Sequence, residues 1–472
     1  MFEIKGKFST ASVMIDLVEP ECISQITKLV NHVAFTNPIV IQPDCHAGKG
    51  AVIGFTMLMT DKVIPNITGV DVGCGMFSFP VLEREFNVFF GNQGDKLIRN
   101  AIPFGTDVRE DDKTFKMKRD FPWSAFQRQA GLLAERYQKT FGIPLTYYHK
   151  VWDEVFSDMR EKPYEWFKKK CQQIGIDYHR AERSIGTLGG GNHFIEIGIP
   201  KVHTKIDGEP ILWVTIHSGS RQFGKCVADY WQGVAVKRVK RSKDIDLKAA
   251  IEQIKKNVPR NQIEKNVQEL RNSLGFNVQS NGLEFLEGED AQGYLFDMLF
   301  AQLYANVNRK EMACAIIREL DLKNASILPE DDAAIIRPMN TIHNYIGFDD
   351  FIIRKGAVSS RKANGWFVVP LNMRDGILVC EGKDNAAWNF SAPHGAGRIM
   401  SRSKAKKTLN LTEFQKTMGG IFSTSVCKGT LDEAPMAYKD SALIEAAIEP
   451  TATIVDRIIP IHNMKDSEGD ED

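Results

Sequence analysis

The sequence predicts an α+β fold built as one large domain of 472 residues. Short apolar runs typical of strands are interleaved with longer charged stretches typical of helices, without the regular strand–helix alternation of a doubly wound sheet. No internal repeat and no long linker divides the chain. Its content of 43% hydrophobic and 25% charged residues is ordinary for a globular protein.

The N-terminal half is predicted to begin with strands and to continue with helices. Apolar runs bounded by glycine predict strands at Pro38–Ile41, Ala51–Leu58 and Met76–Leu82. Residues 120–180 predict helices with interleaved basic and aromatic residues, a pattern that an amphipathic helical layer explains better than an RNA-binding surface. The residues concerned are Arg119, Trp123, Arg128, Arg136, Tyr148, Trp166, Lys168 and Lys169.

The C-terminal half mixes strands and helices more closely. Residues 211–217 predict a strand that ends in the turn Ser218–Arg221. Within a largely helical segment, 235–330, we expect a charged helix over 235–275 interrupted at Pro259, then a longer helix capped by Asp290. Later elements are strands at 366–370, 376–380 and Ala452–Ile458 and a helix that opens near His394. The domain is predicted to span 1–465, followed by a disordered acidic tail over 466–472.

Composition and charge bound the location and the partners. There is no apolar run of about 18 residues or more, and the first residues lack the apolar stretch of a signal peptide, so a cytoplasmic protein without a membrane partner is expected. The eight cysteines are scattered without a C-x-x-C pair, which predicts thiols. The net charge is 0, but the last seven residues hold five acids, so the remainder carries about +5 and neither requires nor excludes RNA.

The placement of the histidines is the strongest local signal. Five of the ten stand within two residues of glycine, asparagine or serine at the ends of apolar runs: His46, His193, His217, His343 and His394. Strand ends and tight loops are where rigid scaffolds present reactive groups. One such histidine would more simply be a hydrogen-bonded structural residue, whereas five in the same setting indicate a functional site.

The stretch Asp71-Val72-Gly73-Cys74-Gly75 is a candidate metal loop. Its glycines allow a tight turn that brings the Asp71 carboxylate and the Cys74 thiol toward one point, and His193, His217 and His343 are candidate partners. From ligand softness, a Cys/His/Asp set favours zinc. The alternative is a glycine-rich turn around a buried cysteine.

Two further loops could hold a phosphate. The glycine run Gly186–Gly191 could bring main-chain N–H groups close to a phosphate, and Asn192, His193 and Glu196 follow it, although no Walker Gly-Lys-Ser/Thr is present. In Ser391–Arg398, small residues leave the His394 ring accessible as a covalent nucleophile, and a following helix N-terminus would favour a phosphate. A helix-capping loop with one polar histidine is the alternative.

Taken in order, these segments resemble the RtcB family of RNA-splicing ligases. The matching stretches are PDCHAGKG, GVDVGCGM, GTLGGGNHFIEI, IHSGSR, IHNYI, RKGA, SAPHGAGRIMSRSKAKK and DEAPMAYKD, which run from residue 43 toward the C-terminus. The resemblance implies a single large RtcB-like domain with a β-sandwich-like core of mixed sheets and helices packed outside. It also identifies the chain as a divergent member.

The resemblance implies two manganese ions, against the zinc that ligand softness favours. Cys74 would bridge them, with Asp71 and His193 on one side and His217 and His343 on the other. His394 would attack the α-phosphorus of GTP to give a His–GMP adduct. The GMP would then activate an RNA 3′-phosphate, itself derived from a 2′,3′-cyclic phosphate, for attack by a 5′-hydroxyl RNA end.

The resemblance also implies a set of nucleotide contacts. They are Asn192, His193, Phe194, Ile195, Glu196, His343, Asn344, Pro370, Leu371, Asn372, Met373, His394, Gly395, Ala396, Gly397 and the closing lysine, Lys465. Typical members end just after that lysine, whereas this chain continues as DSEGDED. Ile377 stands where members carry a serine that contacts the nucleotide, a loss of one hydrogen bond worth about 0.5–1.5 kcal/mol that leaves strict GTP selectivity open.

Two other functions remain as alternatives at this stage. A metal-dependent 2′,3′-cyclic phosphodiesterase would need the metal cluster but not His394 or Lys465. An inactive RNA-binding homologue would need neither, although the expected metal ligands are all present. The sequence leaves the physiological RNA open, with archease as a candidate activating partner and a monomer as the expected state.

Overall fold

The chain folds into two large sheets with helices packed around them. The computed structural model describes residues 1–48, 50–87, 90–110, 115–202, 205–206, 208–259, 262–273, 280–323, 325 and 337–467. The strands are β1 (Phe2–Lys5), β2 (Thr10–Val13), β3 (Ile39–His46), β4 (Ile53–Leu58), β5 (Gly75–Leu82), β6 (Phe194–Pro200), β7 (Lys205–Ile206), β8 (Glu209–Ser218), β9 (Met339–Ile342), β10 (Asn344–Ile346), β11 (Ile352–Lys355), β12 (Ala357–Ser359), β13 (Trp366–Asn372), β14 (Gly376–Gly382), β15 (Ser391–Pro393) and β16 (Ala452–Met464).

The α-helices are gathered mainly in the middle of the chain. They are α1 (Pro20–Val30), α2 (Pro65–Thr68), α3 (Glu83–Asn87), α4 (Asn92–Ala101), α5 (Met117–Asp120), α6 (Trp123–Phe141), α7 (Thr146–Phe156), α8 (Lys162–Ile174), α9 (Tyr178–Arg183), α10 (Arg221–Asn257), α11 (Ile263–Ser273), α12 (Gly288–Glu319), α13 (Arg402–Thr408), α14 (Leu411–Thr417) and α15 (Ser441–Ile448). Short 3₁₀ turns lie at Lys362–Asn364, Ala386–Trp388, Leu431–Glu433 and Pro435–Ala437. The mixture confirms the predicted α+β class.

The larger sheet is antiparallel throughout and carries the strands that matter most for function. Its order is β13-β14-β16-β6-β8-β5-β9, with β7 paired to β8. The smaller sheet, β1-β2-β3-β4-β11-β10, is mixed, because β2 and β3 run parallel. A two-stranded ribbon, β12-β15, completes the described strands. The smaller sheet is therefore mixed, as expected. The larger sheet is not, because all of its strand pairs are antiparallel.

The helical layer formed by α6 to α9 packs its aromatic side chains inward. Trp123, Phe126 and Trp166 are buried and cluster with Phe296 and Phe300 of the long helix α12. Clustered rings of this kind contribute large buried apolar areas. The aromatic residues of 120–180 therefore serve the core, as the interpretation of an amphipathic layer predicted.

Two local predictions at helix starts were wrong. Helix α12 is capped at Glu287, and Asp290 lies in its first turn instead of at the cap. No helix opens at His394, because that residue follows strand β15 and the next helix begins at Arg402 behind the Ser401 cap. Gly397 adopts a left-handed backbone there, with φ of 72°, which a helix does not accommodate.

The C-terminal strand β16 runs six residues further than the predicted Ala452–Ile458 and ends at Met464. Beyond it, Asp466 is half-buried and Ser467 is exposed, while the rest of the predicted tail lies outside the described residues. Across the described ranges, none of the helices combines the length and apolarity needed to cross a membrane.

Candidate active site

Four candidate metal ligands lie in a row at one edge of the larger sheet. Cys74 directly precedes β5, and His193 directly precedes β6. His217 is the penultimate residue of β8, and His343 directly follows β9. These strands are neighbours, and their register pairs Phe194 and Met76 with His217. Strand pairing therefore brings together side chains that are far apart in sequence.

The donor atoms of this row are in mutual contact. Cys74 Sγ lies 3.5 Å from His193 Nε2 and 3.3 Å from His217 Nε2. His217 Nε2 lies 3.3 Å from His343 Nε2, and His193 Nε2 lies 3.0 Å from an Asp71 carboxylate oxygen. The cysteine and the three histidines are buried. The structure thus brings all five predicted metal ligands together.

Contacts behind the imidazoles aim the Nε2 atoms into the cluster. His193 Nδ1 donates to the Leu188 carbonyl at 2.9 Å, and His217 Nδ1 donates to the Asn192 carbonyl at 3.2 Å. With Nδ1 protonated, Nε2 presents a lone pair, which is the form that binds a metal. Burial, reinforced by neighbouring imidazoles, lowers the pKa of His217 and of His343 well below the ordinary value and keeps both neutral.

The residues fit two cations that share the cysteine. One set comprises Asp71, Cys74 and His193, the other comprises Cys74, His217 and His343, and within each set the donor atoms lie within 4.8 Å of one another. Three donors per ion leave coordination positions open, as catalytic sites require. The donor chemistry itself, thiolate with imidazole, suits zinc at least as well as manganese.

His394 lies directly beside this cluster of metal ligands. Its ring centroid lies 4.8 Å from that of His343. The buried Asp44 carboxylate holds it: one oxygen, Oδ2, accepts from His394 Nδ1 at 2.6 Å and from the backbone N–H groups of His394 and Gly395 at 3.0 and 3.2 Å. Because Nδ1 is engaged, Nε2 is the nitrogen available for nucleophilic attack.

A cavity opens beside His394 and the metal-ligand row, and His394 and His217 both line it. Its volume is about 850 Å³, including the open space at its mouth. Its lining includes Asn192, Phe194, Glu196, Pro370, Leu371, Asn372, Met373, Gly395, Ala396, Gly397 and Lys465 from the predicted nucleotide set. It also includes His46, Met76, Gly376, Arg398, Arg402, Glu433, Tyr438 and Asn463, to which the sequence interpretation gave no role in the nucleotide site.

Four of the predicted nucleotide residues lie elsewhere. The Ile195 side chain is turned into the core, since it alternates along β6 with Phe194 and Glu196. His193 lines a second opening, and His343 lies behind the His394 ring. Asn344 uses its side-chain oxygen to accept from the Gly356 N–H at 2.9 Å, which secures the loop next to His343.

Two unpartnered polar atoms point to a ligand in the cavity. The Glu196 carboxylate accepts from Asn463 Nδ2 at 2.8 Å through one oxygen, while its Oε1 and Asn463 Oδ1 are buried without a described partner. Such atoms cost free energy unless a ligand or water satisfies them. Burial raises the pKa of Glu196 to about 8, against the opposing effects of Asn463 and Lys465.

An ion cluster forms the far wall of the cavity around Glu433. Lys465 Nζ lies 3.1 Å from its carboxylate, and Arg398 and Arg402 lie 3.2 and 3.3 Å away. Tyr438 donates its hydroxyl to Glu433 at 2.8 Å. Burial opposes ionisation, but these cations lower the pKa of Glu433 far below its ordinary range. Sequence motifs contained these residues without indicating that they meet.

A second opening, which we call the cleft, reaches the metal-ligand row from the other side. Asp71 and His193 line it together with three cations, Arg180, Arg221 and Lys225. Asp466 also lies in the cleft, so close to Gly105 that a side chain at that glycine would come within 2.9 Å of the Asp466 carboxylate. The metal-ligand row therefore separates two spaces, and each is lined by some of its members.

Ile377 lies outside the cavity. Its side chain is buried beside Met76 and Val379 in the core under the larger sheet, whereas its neighbour Gly376 lines the cavity. The preceding turn is closed by Asn372, whose Oδ1 accepts from the backbone N–H groups of Arg374 and Asp375 at 3.0 and 2.9 Å. The side chain at position 377 is therefore not part of the cavity lining.

Comparison with known proteins agrees with this arrangement. The family model described as tRNA-splicing ligase RtcB matches residues 25–466. A protein named RNA-splicing ligase RtcB from Escherichia coli (strain K12) is 28% identical over 439 residues, covering 91% of this chain and 90% of that protein. A tRNA-splicing ligase RtcB from Nanoarchaeum equitans (strain Kin4-M) is 24% identical, covering 90% of this chain and 85% of its own. The chain belongs to the RtcB family.

Proposed function

We propose that this protein is a GTP- and Mn²⁺-dependent RNA ligase that joins a 2′,3′-cyclic phosphate or 3′-phosphate RNA end to a 5′-hydroxyl end through a His394–GMP adduct. The observation that carries the proposal is the placement of His394, which has its Nδ1 fixed by Asp44 and its ring beside His343 of the Cys74–His217–His343 set, on the lining of a cavity. The names of the relatives give the same reaction class.

The first step assigns His394 as the nucleophile. Its Nε2 forms a bond to the α-phosphorus of GTP, the bond from that phosphorus to the bridging oxygen breaks, and pyrophosphate leaves. Asp44 accepts the Nδ1–H at 2.6 Å and stabilises the positive charge that the ring gains. An oxygen of the RNA 3′-phosphate then attacks the same phosphorus and releases His394.

The last step joins the two RNA ends. The 5′-hydroxyl oxygen attacks the phosphorus of the 3′-phosphate, and GMP leaves with the bridging oxygen. A 2′,3′-cyclic end is first opened by water to a 3′-phosphate. In all of these steps positioning and charge neutralisation supply most of the catalysis. The cleft, with Arg180, Arg221 and Lys225, would admit the RNA ends on the side opposite the nucleotide.

The nucleotide would be held by residues of the cavity. Glu196 Oε1 and Asn463 Oδ1 would accept hydrogen bonds from the N–H groups of a guanine edge, which satisfies the two unpartnered atoms. Arg398 and Lys465 would face the phosphates and the rest of the guanylate. A guanine, with adjacent N1–H and N2–H₂ donors, matches this pair better than an adenine does.

Two Mn²⁺ ions would be held by Asp71, Cys74 and His193 on one side and Cys74, His217 and His343 on the other. Bound there, they would neutralise phosphate charge and polarise the oxygens that attack and leave. The choice of manganese rests on the resemblance to the family, because the donor chemistry by itself favours zinc.

The experiment that tests the proposal is self-labelling. The full chain is incubated with Mn²⁺ and α-labelled GTP, and labelled protein is separated on a denaturing gel. We expect an acid-labile label that is absent with γ-labelled GTP and absent in His394→Ala. His149→Ala, an exposed histidine on α7, is the matched control and should label fully.

The alternatives predict other outcomes. A cyclic phosphodiesterase would open a 2′,3′-cyclic RNA end but leave the wild-type protein without a label. An inactive RNA-binding homologue would show neither activity and would still bind RNA. Either result would overturn the proposed ligase, whereas labelling followed by joined RNA supports it.

A further inference from the structure

The side chain of Arg309, on the long helix α12, is completely buried behind the metal-ligand row. One of its nitrogens, Nη1, donates to the Gly73 carbonyl and to the Ser218 carbonyl, both at 2.9 Å. The other, Nη2, donates to Asn340 Oδ1 at 3.3 Å. The guanidinium therefore connects three segments of the chain.

The connected segments are those that carry the candidate ligands. Gly73 immediately precedes Cys74, Ser218 immediately follows His217, and Asn340 is on β9, which ends next to His343. A single planar group thus fixes the backbone beside Cys74 and His217 and reaches the strand that leads to the third donor. Asn308, the preceding residue, secures the next layer through the Gly219 carbonyl and the Gly186 N–H.

The charge of Arg309 is not explained by an ordinary ion pair. None of the described carboxylates lies within salt-bridge distance, and its Nε has no described acceptor. Burial lowers the pKa of Arg309 to about 10, against the attraction of Cys74 and Asp71, so the group remains cationic. A buried cation without a bonded counter-ion is costly, and a packed apolar side chain would serve stability better.

We infer that Arg309 is a positioning residue for the candidate metal centre, holding Cys74 and His217 at the separation at which they bind a metal ion together. The inference rests on the proposed function only for the existence of that centre. A lysine should not replace Arg309, because one ammonium group lacks the fixed fork that reaches both carbonyls and Asn340.

The test measures metal binding instead of ligation. The affinity of the full chain for Mn²⁺ is determined by titration calorimetry at one fixed pH, for the wild type, Arg309→Lys and Arg309→Met. We expect both variants to bind Mn²⁺ about 10- to 100-fold more weakly, as other residues that orient metal ligands do. A change in Cys74–His217 spacing should also alter the electron paramagnetic resonance spectrum of bound Mn²⁺.

Lys170→Met is the matched control. Lys170 is another buried cation in the helical layer, bonded to Asp297 at 2.9 Å and to Gln173 at 2.8 Å, neither of which is a candidate metal ligand. Loss of the Lys170 ammonium should lower the melting temperature and leave Mn²⁺ affinity unchanged. If Arg309 had a purely structural role, the Arg309 variants would behave in the same way. Wild-type Mn²⁺ affinity in Arg309→Lys or Arg309→Met would overturn the inference.

Should both Arg309 variants fail to fold, Asn340→Ala tests the same contact more gently. It removes the Nη2 acceptor, and we expect Mn²⁺ binding to weaken about 2- to 10-fold. Unchanged affinity there would count against the inference. Metal binding by a wild-type protein that never labels with GTP would refute the proposed ligase and leave Arg309 testable, whereas a wild type that binds no metal refutes the inference itself.

Discussion

The two walls of the cavity are built on opposite principles. The metal-ligand row consists of buried groups at strand ends whose positions follow from strand register, and burial keeps the imidazoles of His217 and His343 neutral. The wall around Glu433 consists of charged side chains on loops and short helices, held by ion pairs. Backbone pairing fixes the distances between the metal ligands. Ion pairs, in contrast, hold charges that can exchange partners when an anion binds.

The largest expected effect would break the first wall. Replacing Cys74 with alanine removes the ligand that both donor sets share. We expect Mn²⁺ binding to be lost and self-labelling to fall on the order of 10³-fold or more, because metal ions contribute several kcal/mol to such reactions. The buried thiol Cys171, in the helical layer, provides the matched control: Cys171→Ala should retain labelling. Labelling at the wild-type rate in Cys74→Ala would remove the cluster from the mechanism.

The next effect should separate the nucleophile from the metals. In Asp44→Asn, the negative charge that binds the His394 Nδ1–H is lost, so a neutral amide holds the ring in its tautomer less firmly. Labelling should slow about 10²- to 10³-fold, since a misdirected tautomer is a severe defect in comparable catalytic pairs. Mn²⁺ affinity, measured by calorimetry, should stay at the wild-type value. A parallel loss of metal binding would show that the two walls are not independent.

A smaller effect is expected at the charged wall. Glu433→Gln removes the anion around which Arg398, Arg402 and Lys465 gather. We expect labelling at saturating GTP to fall about 10-fold through misplacement of these cations, and stability to fall by about 3–5 kcal/mol. In the control Glu445→Gln, which breaks the Arg457 ion pair on β16, labelling should be unchanged. Equal rates in both variants would mean that the ion cluster only stabilises the fold.

The smallest effect concerns pH and Glu196. Because burial raises the pKa of this carboxyl from 4.5 to about 8, the folded protein binds a proton that the unfolded chain releases. Its contribution to stability is therefore complete below about pH 4.5 and is lost as the pH rises through 8, a change on the order of a few kcal/mol. Chemical denaturation of the metal-free protein at several pH values should show this fall in the wild type and less of it in Glu196→Gln. Equal slopes for the two proteins would contradict the assignment.

Sequence reasoning succeeded where chemistry is carried by the residue type itself. Cys74 and the histidines stood out because each lies beside a glycine, asparagine or serine at the end of an apolar run, and the structure brings them together. The strands were found for the same reason, since their apolar runs are local. Their register, and hence the distances between the ligands, depends on pairing between separate segments, which for β5 with β8 and β9 lie more than 100 residues apart and which no local pattern encodes.

The residues that were missed act through distant partners. Asp44 binds His394 across 350 positions, and the same carboxylate oxygen also accepts from the backbone N–H groups of His394 and Gly395. In the sequence, Glu433 looks like an ordinary member of the acidic pair Asp432-Glu433, and Arg309 looks like an ordinary helix residue. Only their burial beside reactive groups distinguishes them.

The position of Asp466 has a practical consequence for handling the protein. Since Asp466 and Ser467 line the cleft, any group fused after them starts its path at the opening proposed to admit RNA. A C-terminal affinity tag would follow only five residues after Ser467, within roughly 20 Å of chain, so a polyhistidine tag could contribute metal ligands of its own. An N-terminal tag, attached at the exposed Met1, avoids fusion next to Asp466 and Ser467.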